Sequence, residues 1–204
     1  MSFSDYKTLA QVQQDYQIKY DEATFINKHS LTPTDSFLIE FNFNIKTMDV
    51  FSSEAARCEL LIFPVLREIY KRFSENTSLW IQKPIRYDEK LSGTPDYLFA
   101  TRSPLGKTVL ELLLLLVVEA KKSDFEQGWG QCLAELVAAQ KLNSDMVSPV
   151  YGIVTDGKYW EFGQLTDSLF TKNLESFSID HLPELLGGLD FLLSAASRQI
   201  RVKK

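Results

Sequence analysis

The sequence predicts an α/β protein in which a central mixed sheet is flanked by helices and preceded by an N-terminal extension. Three observations support this fold class. Residues 112–118 are apolar throughout, which is typical of a strand buried on both faces. Amphipathic helices are predicted on either side of it, at 52–73 and 123–142, from apolar residues at three-to-four spacing. A β-hairpin is predicted at 150–162, where Asp156-Gly157 separates two apolar segments.

Length and composition restrict the classes of protein further. With 204 residues the chain suits one domain, which we divide into an extension or cap at 1–50 and a main part at 51–204. A hydrophobic content of 45% supplies a core and argues against wholesale disorder. The net charge of −5 argues against nonspecific nucleic-acid binding over the whole surface, but it allows a local basic groove.

The remaining elements follow from local patterns. In chain order we predict a helix capped by Ser4 at 4–16, a strand at 18–26, a helix at 37–45, a strand at 79–87, a strand opened by Asp96 at 96–101, an irregular segment or final strand at 170–179, and a closing helix at 182–200.

Within the two long helices, proline and glycine mark special positions. Pro64 lies inside the first helix and is expected to kink or split it. Ser123 and Glu126 form a capping-box pattern at the start of the second. Gly128 and Gly130 each cost about 1 kcal/mol inside a helix, which indicates close packing or the approach of a substrate there.

Several chemistries lack the residues they need. The two cysteines, Cys58 and Cys132, fall in predicted helices and are expected to be buried, reduced thiols. The two histidines lie far apart in the sequence, which gives little support to histidine-based metal or nucleophile schemes. A phosphate-binding loop is absent, so no ATP-driven motor is predicted. No signal peptide opens the chain, and the apolar run is shorter than the ~20 residues of a membrane span. We therefore expect a cytoplasmic protein without membrane contact.

Charged residues end the apolar strand, where burial without partners would be costly. Because side chains alternate along a strand, Glu119 and Lys121 project to one side. A turn-rich link at 102–107 predicts antiparallel pairing with the strand that Asp96 opens. Asp96, Glu119 and Lys121 can then meet at one corner of the sheet. Two carboxylates beside a lysine suit a hard divalent cation and a polarised water.

These residues resemble a known superfamily. Pro95-Asp96, a spacer of twenty-two residues and then Glu119-Ala120-Lys121 are similar to the PD-(D/E)XK motif of restriction-endonuclease-like phosphodiesterases. The resemblance covers roughly 51–165, and it is nearest to type I restriction nuclease domains and to small stand-alone bacterial proteins of unassigned function. It implies Mg²⁺- or Mn²⁺-dependent cleavage of DNA, with a homodimer as a further expectation.

The resemblance also implies a role for each site residue. Asp96, Glu119 and the Ala120 carbonyl would bind metal, and Lys121 would position the attacking water. A glutamate of the first helix would support the site, with Glu54 preferred and Glu59 as the alternative. A glutamine of the second helix would do the same, with Gln131 preferred and Gln127 as the alternative.

Other interpretations of the same residues stay open. Glu54 could simply interact with a helix dipole, Asp96 could be a turn residue, and Glu119 with Lys121 could be an ion pair at the sheet rim. The two glutamines could be surface amides. A nuclease-like fold without activity, used for binding or assembly, is therefore the second hypothesis. Lys122 and the basic C-terminal residues are assigned to solvent or to phosphate contacts.

Overall fold

The fold is α/β, as the sequence predicts. The computed structural model describes residues 2–121 and 124–202, with the backbone alone for 201 and 202. The strands in this part of the chain are β1 (Lys19–Ala23), β2 (Thr77–Ile81), β3 (Ile85–Arg86), β4 (Ser92–Gly93), β5 (Tyr97–Arg102), β6 (Leu110–Ala120), β7 (Val150–Thr155), β8 (Tyr159–Thr166), β9 (Leu169–Asn173) and β10 (Phe177–Ser178).

The helices of the described residues flank this sheet. They are α1 (Leu9–Tyr16), α2 (Asp35–Thr47), α3 (Glu54–Arg57), α4 (Phe63–Tyr70), α5 (Phe125–Asn143) and α6 (Leu182–Val202), with 3₁₀ turns at Phe3–Asp5 and Ile179–His181 and a π-helical turn at Cys58–Ile62. None of the helices described is both long enough and apolar enough to cross a membrane.

The main sheet has eight strands and is mixed. Its order is β1-β9-β8-β7-β6-β5-β2, with β10 paired to β8, while β3 and β4 form a separate ribbon. The pairs β1–β9 and β6–β7 are parallel, and the other pairs are antiparallel. β6 is an interior strand, buried from Leu113 to Ala120, which explains its unbroken apolar sequence.

Two apolar layers cover the faces of the sheet. On one face, β6 residues such as Leu116 and Val118 pack with α2, α4 and α6. On the other, Val117 packs with α1 and α5. The N-terminal extension therefore joins both layers, and its strand β1 forms one edge of the sheet. The alternation along β6 sends Glu119 to the α5 face.

Two predicted elements are shorter than the sequence indicated. The predicted helix at 4–16 is a 3₁₀ turn followed by α1, because Thr8 rather than Ser4 caps it: the Thr8 hydroxyl accepts a hydrogen bond from Gln11 N at 3.4 Å. The predicted strand at 79–87 ends at Ile81. Gln82 follows in the left-handed region with φ 47°, and Pro84 cannot donate to the ladder.

Pro64 divides the first long helix, as predicted. A proline lacks the N–H that would bond to the carbonyl four residues earlier. Here that carbonyl, Leu60 O, instead accepts a hydrogen bond from Asn44 Nδ2 of α2 at 3.2 Å. The wider π-helical turn lies immediately before the proline, where the regular hydrogen-bond pattern is interrupted.

The second long helix begins at Phe125, later than the predicted position 123. Asp124 is its cap and accepts a hydrogen bond from Gln127 N at 2.9 Å. The predicted cap Ser123 and its neighbour Lys122 lie outside the described residues, as do Lys203, Lys204 and the side chain of Arg201.

Candidate active site

Strands β5 and β6 place two carboxylates opposite each other at the end of the sheet. Tyr97 pairs with Val118 in antiparallel register, so Asp96 and Glu119 occupy the next opposed positions. Opposed residues of an antiparallel pair project to the same face, with Cβ atoms about 5 Å apart. The Ala120 N–H donates a hydrogen bond to Asp96 Oδ2 at 2.8 Å, which fixes this carboxylate against β6.

Lys121 forms an ion pair with Glu119. Its Nζ lies 3.2 Å from Glu119 Oε2, and the side chains are 17% and 0% exposed. The Lys121 N–H donates to Thr155 O of β7 at 2.8 Å, so the backbone remains anchored beyond the end of β6. The ammonium group therefore lies between a buried carboxylate and the protein surface.

A third carboxyl group, Glu135 of α5, completes this cluster, and our sequence analysis missed it. Glu135 is fully buried, and its carboxyl is within hydrogen-bonding reach of Glu119. None of the oxygen atoms of these two carboxyls has a hydrogen-bond donor among the described residues, apart from the ion pair with Lys121. Because two adjacent buried carboxylates disfavour each other's ionisation, the pair is more stable with a proton on one of the two groups.

The sequence did contain a sign of this role for Glu135. The residue lies four positions after Gln131, in a run of apolar residues from Cys132 to Ala139. An acidic side chain within so apolar a helix is rarely buried without a partner. The pattern therefore indicates a second carboxylate or a cation facing it.

Taken together, burial and neighbouring charges raise the pKa values of all three groups of the cluster. Burial raises the pKa of Glu119 to about 7, with Asp96 adding to the rise and Lys121 opposing it. Burial and the negative charge of Glu119 raise the pKa of Glu135 well above its usual range. Burial works against the charged form of Lys121, but Glu119, Asp96 and Glu54 raise its pKa overall. These shifts favour the cationic form of Lys121 and the protonated form of Glu135.

A cavity of about 350 Å³ opens beside Asp96. Its lining combines carboxylates of Glu54, Glu59 and Asp96 with apolar walls from Phe63 and Ile81. Glu119 and Lys121 do not line it, because they project towards α5. Asp96 is thus the residue that connects the buried cluster to the cavity, and burial raises its pKa although the Ala120 N–H and Lys121 oppose the rise.

The structure brings Glu54 nearer to the cluster than Glu59. Ser53 caps α3 by accepting a hydrogen bond from Ala56 N at 3.0 Å, and this places Glu54 on the first turn beside the cavity. The charge of Glu54 acts on the pKa values of both Asp96 and Lys121. The charge of Glu59 instead acts on the pKa values of Cys58 and Tyr97. Glu54 is therefore the better supporting candidate.

The two glutamines lie on α5 at different distances from Glu135. Gln131 is one turn before Glu135, so the two side chains share a face of the helix. It is half-buried, and its side chain makes no hydrogen bond within the described residues. Gln127 lies a further turn away, near the helix cap Asp124. Position therefore favours Gln131 over Gln127 as the glutamine nearer to Glu135.

The predicted close packing around the two glycines of α5 is confirmed. A Cβ at Gly128 would lie 2.6 Å from Val154 Cγ1 and 3.1 Å from Lys121 Cγ. A Cβ at Gly130 would lie 2.7 Å from the backbone nitrogen of Thr8. The first glycine lets α5 cover the lysine, and the second lets the N-terminal extension pack against α5.

Replacing Gly130 with alanine is expected to lower the free energy of unfolding by about 1 kcal/mol. Overpacking against the Thr8 backbone costs about 1–3 kcal/mol, and the better helix propensity of alanine offsets about 1 kcal/mol. Urea unfolding measures the change. Ala134→Gly, a change in the opposite sense on the same buried helix, serves as the propensity control. A Gly130→Ala protein more stable than wild type would contradict the close approach.

The donor set is compatible with a divalent metal at the carboxylates. Glu119 has oxygen atoms without a hydrogen-bond donor, and Asp96 uses one oxygen for the Ala120 N–H. Such oxygen atoms are the ligands that Mg²⁺ and Mn²⁺ prefer. Within residues 2–121 and 124–202, no group of three His, Cys, Asp or Glu side chains is arranged to bind a metal together. A metal here would take Asp96 and Glu119, with the remaining ligands from backbone or water.

No protein-family model matches this chain, and no curated protein matches it.

Proposed function

We propose that this chain is a divalent-metal-dependent phosphodiesterase that cleaves DNA. One observation carries the proposal: Asp96, immediately before β5, is held against the end of β6 by the Ala120 N–H at 2.8 Å, next to Glu119, whose carboxylate lies 3.2 Å from the Lys121 ammonium. The Pro95-Asp96 and Glu119-Ala120-Lys121 pattern resembles the PD-(D/E)XK motif, and the closeness of these residues in the fold supports the proposal.

Each residue has a distinct task in this proposal. Asp96 and Glu119 would hold the metal, with the Ala120 carbonyl as a further ligand. The metal would supply charge neutralisation at a phosphate oxygen and a lower pKa for a water molecule. Lys121 donates a hydrogen bond to the attacking water or to the phosphate, where its charge stabilises the negative charge that develops.

Residues around the proposed metal ligands would position water, metal and substrate. Glu54 borders the cavity beside Asp96 and would orient water or metal ligands from α3. Gln131 would contact the phosphate backbone from α5. Glu135 keeps the Glu119 carboxylate in place by a shared proton, so it acts through Glu119 and not on the substrate. The apolar wall of Phe63 and Ile81 gives the cavity a surface suited to a base or sugar.

Thermal melting with added metal tests the proposal. A ligand that binds the folded state at ten times its Kd raises the melting temperature by roughly 3 to 6 °C for a chain of this size. We expect this shift with Mg²⁺ or Mn²⁺ for the wild type and its loss in Asp96→Asn, whose side-chain oxygen can still accept the Ala120 N–H.

The control for the metal titration is an exposed carboxylate elsewhere. Asp180 is 61% exposed and pairs with Lys158, so Asp180→Asn is expected to retain the full shift. An equal shift in Asp96→Asn and wild type would place metal binding elsewhere and contradict the proposal.

A second function is favoured by the full burial of Glu119, which lies behind Lys121 and outside the cavity. In that case the chain is a nuclease-like binding or assembly module. The cluster of Glu119, Glu135 and Lys121 then contributes only to the stability of the fold. A melting temperature that does not respond to either metal, together with no cleavage of DNA, would support this function.

A further inference from the structure

We propose that helix α2 is a self-association surface through which two copies of this chain pack antiparallel about a two-fold axis. The helix is apolar on two sides. Phe37 and Phe41 are buried in the core, whereas Ile39 and Phe43 are 71% and 61% exposed. Ile39 and Phe43 are four residues apart and so form one stripe on the outer face.

The exposed stripe is self-complementary in its apolar residues. An isologous interface requires a patch that matches itself after a two-fold rotation. Ile39 and Phe43 are placed symmetrically about position 41, near the middle of α2. Antiparallel packing about that position sets Ile39 of one copy against Phe43 of the other, twice.

The charges at the helix ends show the same symmetry. Asp35 lies in the first turn of α2 and Lys46 in the last. Their positions, four residues before Ile39 and three after Phe43, put them on the same face as the apolar stripe. Both are exposed, and neither forms an ion pair within residues 2–121 and 124–202. In the antiparallel pair, Asp35 lies beside Lys46 of the second copy at both ends, and the helix dipoles are opposed.

The surroundings extend the surface beyond the helix. Helix α2 has 13 residues and is about 20 Å long. A standard interface buries about 800 Å² on each partner, so residues next to this helix must contribute to the contact. Next to the stripe, a groove of about 400 Å³ runs between α2 and α4, lined by Phe43, Phe63 and Pro64. Met48 and Phe51, which are 46% and 39% exposed, continue the apolar surface past the end of α2.

This surface borders the candidate site. Glu59 and Phe63 line both the groove beside α2 and the cavity beside Asp96. A second copy on α2 therefore lies at the edge of that cavity and would form part of the path by which a ligand enters. The self-association does not depend on the proposed cleavage activity, because none of the residues that carry it is a proposed metal ligand or catalytic group.

Sedimentation velocity of the whole chain with charge-swapped variants tests the proposal. The wild type is expected to show a concentration-dependent dimer. Asp35→Lys alone and Lys46→Asp alone should each raise the dimer Kd at least about tenfold, and the double variant should recover most of the loss. Each substitution also opposes the helix dipole, so recovery in the double variant can come only from pairing between copies.

Apolar variants complete the experiment. Phe43→Glu should abolish the dimer, and the milder Phe43→Ser should weaken it, with circular dichroism confirming that both fold. Val147→Glu is the matched control, because Val147 is 72% exposed outside α2, and it should leave the dimer intact. A monomeric wild type, which would leave α2 to a different partner, overturns the proposal. The proposal is also overturned if the double charge variant dimerises more weakly than either single variant. The same holds if Val147→Glu loses the dimer as fully as Phe43→Glu.

Discussion

Replacement of Lys121 with alanine is expected to lower metal-dependent DNA cleavage at least about 100-fold, the usual cost of removing one group that stabilises charge in a transition state. The ammonium is held in place by Glu119 at 3.2 Å and is charged, because the nearby carboxylates raise its pKa against the effect of burial. Alanine removes the charge without filling the space. A supercoiled-plasmid nicking assay in Mg²⁺ or Mn²⁺ measures the effect.

Folding must be separated from activity in this experiment. Loss of Lys121 leaves Glu119 without the cation that opposes the rise of its pKa, so the pKa rises further and the carboxyl more readily takes up a proton. The variant should therefore retain the circular dichroism spectrum of the wild type. The matched control is Lys172→Ala, which removes a partly buried lysine paired with Glu161 at 2.8 Å on β9, three strands from β6. Equal cleavage by the Lys121 variant and wild type would exclude a catalytic role.

Glu135→Gln is expected to make the protein increasingly more stable than wild type as the pH rises. The folded-state pKa of Glu135 is raised by burial and by Glu119, so the folded protein holds a proton that the unfolded chain releases above about pH 4.5. Its contribution to stability is full below that pH and declines as the pH rises towards the folded pKa. Glutamine does not titrate, so the free energy of unfolding of the variant does not decline for this reason as the pH rises.

The expected difference has a defined slope. While Glu135 stays protonated in the folded state, the free energy of unfolding of the wild type falls by about 1.4 kcal/mol for each unit of pH increase. That of the variant does not fall in this way. Between pH 5.5 and 7.5 the free energy of unfolding of the variant should therefore increase relative to that of the wild type. The groups facing Glu135 are Glu119, Asp96, Lys121 and the Cys132 thiol, and all of them remain in the variant. Urea unfolding across this pH range measures the slope.

Glu68→Gln provides a control with the opposite sign. Burial of Glu68 is outweighed by its bonds to Lys71 and Thr34, so its pKa is lowered. Its stabilising contribution is present above the unfolded pKa and is lost as the pH falls through the folded pKa. The Glu68 variant should therefore lose stability relative to wild type as the pH rises through this acidic range. A flat difference for Glu135→Gln would mean that Glu135 is ionised in the fold, and this would remove the shared proton.

Much of the fold follows from patterns that are local in sequence. The apolar run of β6, the three-to-four spacing of α4 and α6 and the turn residues of the β7–β8 hairpin each predict an element that the structure contains. The interruption of the regular helix next to Pro64 was equally predictable, since a missing N–H is a property of the residue itself. The elements predicted wrongly in extent, at 4–16 and 79–87, depend on which of several polar residues caps a helix and on a left-handed Gln82.

In the candidate site too, some features follow from local sequence patterns and others do not. Strand alternation predicted that Glu119 and Lys121 share a face, and the turn between β5 and β6 predicted that Asp96 lies opposite them. The sequence pattern did not distinguish Glu54 from Glu59, nor Gln131 from Gln127, because both members of each pair lie in the same predicted helix near the expected site. The electrostatic neighbours of Asp96 favoured Glu54, and these depend on how α3 approaches the sheet.

By itself, then, the sequence determined the α/β class, the central strand and the convergence of an aspartate, a glutamate and a lysine at its end, since these follow from periodicity and pairing of adjacent strands. The tertiary structure alone decided that Glu135 faces Glu119 and that the outer face of α2 is left apolar and exposed. Both depend on which surfaces of separate elements meet across the core, and no local period encodes that choice.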